Sequence, residues 1–192
     1  MLTAAGPLCR FRSDVPGEVV TQLALLSAKE PAGSPLPQSP TQRDRYLEAL
    51  GAHAPVERLW SGPAYRLARD ALTGGAAIAI GRDNAQLLEG RFDDWLADVP
   101  HRQPFMAILA GGRAASICAS VRISPTVHCA GVETHPDFRR RGLALQAAAG
   151  WAAAVQALGA TPFYSTSWDN LASQAVARRP GFTLVGVDFH VS

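Results

Sequence analysis

Hydrophobic positions recur along this chain with two periods, and the points where one gives way to the other divide it into elements. Between Gly17 and Lys29, the residues Val19, Val20, Leu23, Ala24 and Leu26 fall at helical spacing and predict an amphipathic helix. Glu30 to Pro40 carries four prolines with Gly33, Ser34 and Ser39, which no helix accommodates. Thr41 is placed to cap a second short helix that runs through Leu50 and closes at Gly51. Residues 1–60 therefore read as a helical N-terminal region. Pro55 to Gly81 is mixed, with strand character at Ala64 to Leu67 and more clearly at Ala76 to Ile80. Asp83 or Asn84 then caps a helix bearing Leu87, Leu88, Phe92, Trp95 and Leu96, which stops near Pro100.

From Phe105 the period shortens. Phe105 to Leu109 and Ala114 to Ile123 flank a Gly111-Gly112 pair and predict a hairpin. Val127 to His135 follows the turn at Ser124-Pro125 and adds a third antiparallel strand. A helix runs from about Arg141 to Leu158, with Ala144, Ala147, Ala148, Trp151, Val155 and Leu158 on one face and Gly159 as its stop. Thr161 to Trp168 is a strand, parallel to the preceding one if the crossover helix packs normally. Asp169 or Asn170 caps a last helix through Arg179, Pro180-Gly181 ends it, and Phe182 to Val191 forms the final strand. The order of elements predicts one α/β (α+β) domain over residues 1–192.

One junction carries chemistry. Val132 to Ala144 reads Val-Glu-Thr-His-Pro-Asp-Phe-Arg-Arg-Arg-Gly-Leu-Ala, a strand end, a cationic turn and a helix start. Free backbone N–H groups and the positive end of a helix dipole make such a turn a cradle for phosphate. Composition narrows the alternatives. The net charge of +2, in a chain with 47% hydrophobic residues, is too small for a nucleic-acid footprint. No aromatic residues interleave the arginines, so a single polyanionic ligand explains them better than a nucleic-acid patch. Three cysteines (Cys9, Cys118, Cys129) lack metal-type spacing and read as free thiols in a reducing compartment. Met1 to Arg10 lacks a secretory pattern and no apolar run is long enough for a membrane span, so a cytoplasmic protein without membrane contact is expected.

Arg139-Arg140-Arg141-Gly142-Leu143-Ala144 after a strand resembles the GCN5-related N-acetyltransferase (GNAT) superfamily, whose signature is Gln or Arg, two residues, Gly, one residue, then Gly or Ala. Arg139, Gly142 and Ala144 match it. Thr134-His135-Pro136 precedes at the usual distance, and Asn170, Ser173 and Gly181-Phe182 sit where the family's second motif places Asn, a small residue and Gly-Phe. The resemblance covers about Phe105 to the C-terminus. It implies a mixed, mostly antiparallel twisted sheet flanked by helices, with the parallel strands Val127–His135 and Thr161–Trp168 splayed to admit acetyl-CoA. It further implies that backbone groups of Val132 and Thr134 pair with the pantetheine arm and that amides of Arg139, Arg140, Arg141, Gly142, Leu143 and Ala144 hold the diphosphate. Asn170 and Ser173 join the cofactor site, residues 104–192 form the acetyl-CoA-binding core, and no metal is required. The family allows a homodimer.

Acetyl transfer needs a neutral amine, and an alkylamine is neutral only about once in 2,500 molecules at pH 7. A base is the expected device. Glu133 and His128 are the candidates. On a regular strand they face opposite sides, since 128 and 133 differ by an odd number. The resemblance places an acidic tyrosine seven residues after Asn170, but that position is Ala177. Tyr164, Ser173 or water could substitute. His135, beside Pro136, reads as a turn residue. The family geometry places the oxyanion near the backbone N–H of Thr134. The expected activity is direct, ternary-complex acetylation of a small-molecule or peptide amine. Its alternative is a CoA-binding module that has lost catalysis, and Ala177 is the feature favouring it. The N-terminal region and Gly62-Pro63-Ala64-Tyr65 are the expected walls of the acceptor site.

Overall fold

The structure, a computed structural model, describes residues 1–67, 76–179 and 181–192. In chain order its strands are β1 (Leu2–Thr3), β2 (Gly6–Pro7), β3 (Leu59–Leu67), β4 (Ile78–Ala79), β5 (Phe105–Ala110), β6 (Arg113–Ile123), β7 (Val127–Thr134), β8 (Thr161–Ser165) and β9 (Phe182–Val191). The α-helices are α1 (Gly17–Ser27), α2 (Arg43–Gly51), α3 (Leu143–Ala157) and α4 (Leu171–Ala177). The chain divides into two compact units. The first comprises Met1–Tyr65, Ser165–Leu171 and Leu184–Ser192, the second Arg66–Tyr164 and Ala172–Thr183.

In the first unit, strands run in the order β2-β1-β9-β3. The amphipathic faces expected of α1 and α2 meet through Val19, Leu23 and Ala49, with Leu26, Tyr46 and Leu50 around them. Helices are only part of this region, because its first seven residues form the β1-β2 hairpin. The cap of α2 also differs from expectation. Thr41 does not cap it; the buried Glu30 carboxylate accepts from Thr41 N (2.8 Å), Thr41 Oγ1 (2.8 Å) and Gln42 N (2.9 Å). A carboxylate reaching across from the end of α1 supplies both the acceptors and the charge that a helix N-terminus favours. It also holds the Tyr46 phenol well above its usual range, together with burial, which is the larger cause.

The glycine at 62 is dictated by a close approach. A Cβ there would lie 1.8 Å from the Thr166 carbonyl oxygen and 2.8 Å from Ser167 Cα, both rigid backbone. Gly62-Pro63-Ala64-Tyr65 is thus part of β3 packed on the segment after β8. Gly62→Ala is expected to cost about 3 kcal/mol or more, lowering Tm by about 6–12 °C. A melting temperature within 2 °C of the parent in a thermal scan would refute the tight contact.

The second unit is built on strands ordered β8-β7-β6-β5-β4, antiparallel except for the parallel pair β7 and β8. Gly111 (φ 61°) and Gly112 (φ 74°) turn the β5-β6 hairpin with the positive φ pair that two-residue loops favour. One sheet face buries Phe105, Ala107, Ile117 and Ala119 against Ile80, Leu88, Phe92 and Val99. Each of the larger side chains contributes about 1.5–3 kcal/mol by leaving water. The opposite face is covered by α3, whose Ala147, Ala148, Trp151 and Val155 are fully buried. Alanines let this helix lie close to the sheet, and at Gly150 a Cβ would come within 2.5 Å of Ala77 Cβ.

The single helix expected between Asp83 and Pro100 is instead two 3-10 segments, Arg82–Leu88 and Asp93–Asp98. Gly90 at φ 72° breaks it, and Asp93 Oδ1 accepts from Gly90 N at 2.9 Å to fix the turn. The apolar residues still bury, because 3-10 turns also bring every third side chain to one side. The strand expected over Ala76–Ile80 shrinks to two residues, β3 begins at Leu59, five residues before its expected start, and β8 stops at Ser165, before Trp168. Gly159 (φ 79°) ends α3 as expected, while Pro180, the expected stop of α4, lies outside the described residues. Among the described residues no helix is long and apolar enough to cross a membrane.

Candidate active site

The second unit brings a strand edge and a helix start to one place. β7 pairs with β6 from Ile123↔His128 to Ser116↔Thr134, whereas its parallel register with β8 covers only Val127↔Thr161 to Cys129↔Phe163. Beyond Cys129 the parallel strands part, leaving Ala130 to Thr134 as an edge available for strand-like pairing with an extended ligand. Val132 and Thr134 lie on this edge. Their strand is held from the other side, where Ser116 Oγ donates to Glu133 O at 3.0 Å and sits 2.8 Å from Thr134 Oγ1.

After β7 the chain turns through Pro136–Phe138 and enters α3. Gly142, the residue before the helix, is left-handed (φ 74°), as is Arg140 (φ 61°). Gln146 N reaches back to Gly142 O at 3.3 Å, so the N–H groups of Leu143, Ala144 and Leu145 have no carbonyl within the helix. Left-handed residues next to these free amides form a concave donor array suited to an anion. A Cβ at Gly142 would meet nothing within 4 Å, so the space over the loop is open.

The three arginines divide their work. Arg139 Nε donates to Thr134 O at 3.3 Å, and Arg141 Nη2 donates to Asp137 O at 2.9 Å. Arg141 also lies over the Phe138 ring at 5.2 Å, with Arg91 4.6 Å from the same ring. These contacts shape the loop. Arg140 is exposed, and its guanidinium can move to a ligand without breaking one of them.

The two candidate bases do face opposite sides of β7. The bulge in this strand pair falls on β6 between Ser120 and Arg122, so the alternation of β7 is kept. His128 is buried toward α3, with Nδ1 2.9 Å from Ser120 Oγ, which accepts from Trp151 Nε1 at 3.0 Å. Since an indole can only donate, the chain closes when Ser120 gives its proton to Nδ1 and the ring keeps its own on Nε2. Burial also lowers the His128 pKa. This is a satisfied core histidine. Glu133 is exposed on the other face, where its Oε2 accepts from Trp95 Nε1 at 2.7 Å.

Tyr164 is buried on β8, its ring edge-on to Phe182 (5.5 Å) and its hydroxyl 2.5 Å from Ser173 Oγ on α4. Ser173 is half-buried, so it is the member of the pair nearer to solvent. Ala177 is buried at 2% exposure, so the α4 position where a tyrosine was expected faces the interior. Asn170, in the first unit, donates its N–H to Ser167 O at 3.2 Å just ahead of α4. His135 is a turn residue as anticipated, preceding the Pro136–Phe138 turn. Burial pushes the Cys118 thiol well up, leaving it inert. In the sequence Trp95 reads as a core residue by its periodicity, and nothing local ties it to Glu133, 38 positions away.

Residues 104–187 match a family model described as GNAT acetyltransferase. Three solved structures share the fold. A GNAT-family protein of Novosphingobium aromaticivorans has a TM-score of 0.59 and 19% identity over 71% of this chain and 65% of its own. A GNAT-family acetyltransferase of Colwellia psychrerythraea has a TM-score of 0.53 and 14% identity, covering 71% and 58%. A GCN5-related N-acetyltransferase-like protein of Streptococcus suis has a TM-score of 0.55 and 19% identity, covering 82% and 70%. This chain thus spans less than two thirds of the first two proteins. No curated protein matches it.

Proposed function

We propose, from the match of residues 104–187 to a family model described as GNAT acetyltransferase, that the chain transfers an acetyl group from acetyl-CoA to an amine in one ternary complex. The single observation carrying the donor is the junction of the β7 edge with the α3 start. It combines an edge free beyond Cys129 with a left-handed, cationic N-terminal loop. These residues fit an elongated diphosphate ligand: Val132 and Thr134 along its arm, amides of Gly142, Leu143 and Ala144 with the Arg140 side chain at its diphosphate. Acetyl-CoA supplies an acyl group activated as a thioester. Arg139 and Arg141 hold the loop, and Ser173 is the α4 residue proposed to join the site.

Glu133 is the proposed base. Its carboxylate is exposed and anchored through one oxygen, and the other oxygen remains to take a proton from the incoming ammonium. His128, with Nδ1 bonded and its ring in the core, is the weaker candidate. For the proton returned to the thiolate, the Tyr164–Ser173 pair replaces the missing helix tyrosine: Ser173 gives its proton outward and recovers one from Tyr164. Tyr164→Phe and Ser173→Ala are each expected to lower kcat about tenfold, with the double variant no slower than either. A thiolate is a far better leaving group than an alkoxide and departs without strong acid help, which is why the effect stays modest. Unchanged rates in both variants would assign the proton to water.

A purified sample incubated with acetyl-CoA and a panel of small amines and peptides, followed by thiol release, tests the whole reading. Turnover on at least one amine is expected. Tight acetyl-CoA binding without turnover on any would instead support a CoA-binding sensor or interaction module, the alternative that Ala177 favours.

A further inference from the structure

Glu133 projects from β7 onto a sheet face where little else would hold it, yet a tryptophan from a different segment meets it. Trp95 lies in the second 3-10 segment, and its Nε1 donates to Glu133 Oε2 at 2.7 Å. The indole is itself fixed on several sides. Its ring stands edge-on to the buried Phe105, with centroids 5.8 Å apart and planes at 88°. The Arg102 guanidinium lies 5.2 Å from the ring centre, and Arg102 is tied by Nε to Asp98 Oδ2 at 3.1 Å. On the strand side the indole passes over Gly131, two residues before Glu133 and on the same face; a Cβ there would lie 3.1 Å from the ring and 2.3 Å from Val121 Cγ1. Gly131 thus leaves room for the ring that reaches Glu133.

An exposed glutamate has several rotamers, and confining it to one costs side-chain entropy. A charge-assisted N–H···O bond of this length from a locked ring offsets that cost. Because the bond occupies Oε2 alone, Oε1 keeps its lone pairs. We propose that Trp95 is a positioning residue for the reaction, holding the Glu133 carboxylate in one orientation so that its second oxygen meets the ammonium of the acceptor. The proposal rests on the acetyltransferase reading and on Glu133 as its base. It adds a component outside residues 104–187, the segment matched to the family. It also gives one physical reason for four residues gathered near one carboxylate: an indole, a glycine and an arginine–aspartate pair.

Trp95→Phe keeps an aromatic ring beside Phe105 and Arg102 while removing the N–H along with part of the indole. In the parent background it is expected to lower kcat about tenfold with the KM for acetyl-CoA unchanged, since misplaced bases cost rate without disturbing the donor site. In the Glu133→Gln background, where no base remains to be positioned, it should change kcat less than twofold. Equal losses in both backgrounds, or none in either, would overturn the positioning role. An independent measurement needs no Trp95 variant. The Trp95 indole N–H resonance in a ¹H–¹⁵N spectrum should shift on Glu133→Gln as the charged acceptor is lost, and an unmoved resonance would refute the bond in solution. A parent protein without turnover on any amine would sink the activity reading and the positioning role together, whereas turnover with additive variants sinks the positioning role alone.

Discussion

Glu133→Gln is expected to lower the amine-saturated rate by about 10²–10⁴ while leaving acetyl-CoA affinity nearly unchanged. The magnitude follows from the amine. Keeping an alkylamine neutral at pH 7 is worth up to about 4–5 kcal/mol, and a positioned carboxylate recovers part of it by taking the proton within the complex. Glutamine is nearly the same shape, and its carbonyl can still accept from Trp95 Nε1, so the strand and the indole stay in place. What disappears is the ability to accept a proton. Stopped assays at saturating amine, paired with calorimetric titration of acetyl-CoA, separate the two quantities. A rate within threefold of the parent would remove Glu133 from the chemistry, and with it the reason for Trp95 to hold it. His128→Gln should act differently. It disturbs a buried chain from Trp151 through Ser120, so its cost appears in thermal stability before it appears in the rate.

Gly142→Asp is expected to weaken acetyl-CoA binding by a hundredfold or more, about 2.7 kcal/mol. Two effects combine. An added carboxylate stands over the loop where the diphosphate is proposed to lie, in space that is open in this structure, and repels a dianion at close range. Any side chain must also hold the left-handed backbone of φ 74°, although Asp tolerates that region better than most residues. Asp is also favoured ahead of a helix, where its charge meets the positive end of the dipole. The fold should therefore survive, with a melting temperature close to the parent's. Gly142→Ala supplies the control: it shares the backbone strain and lacks the charge, so the difference between the two variants isolates electrostatic repulsion. Retained binding in the Asp variant would show that the diphosphate does not use this loop.

Much of the second unit was legible because its signals are local. The Gly111-Gly112 turn, the run at β7 and the alanine-rich α3 with its Gly159 stop all lie in short windows of sequence, as does the first unit's β9. The loop proposed to hold phosphate was legible as a turn into a helix for the same reason, since Arg139 to Ala144 is one continuous stretch. The parity that separates Glu133 from His128 also followed from counting, given a strand that keeps its alternation.

Other features depend on partners far apart in the chain, which no window contains. Glu30 caps α2 from across eleven to twelve residues, and Thr41, which has the right residue type for a cap, gives its hydroxyl to Glu30 instead. Gly90 broke a helix whose apolar spacing looked continuous, because periodicities of 3 and 3.6 are hard to tell apart over two turns. The contact between the Tyr164 and Ser173 hydroxyls exists only because β8 and α4 pack together.

The sequence by itself determined the loop proposed for the donor: a strand, a cationic glycine turn and a helix start are contiguous, and their chemistry is that of backbone amides and charge. Tertiary structure alone decided the surroundings of the two candidate bases. Which face Glu133 meets, what fixes it there and why His128 is withdrawn into the core all depend on side chains brought together across 8 to 38 positions. Such contacts arise from sheet register and packing, and these are settled by the whole core at once.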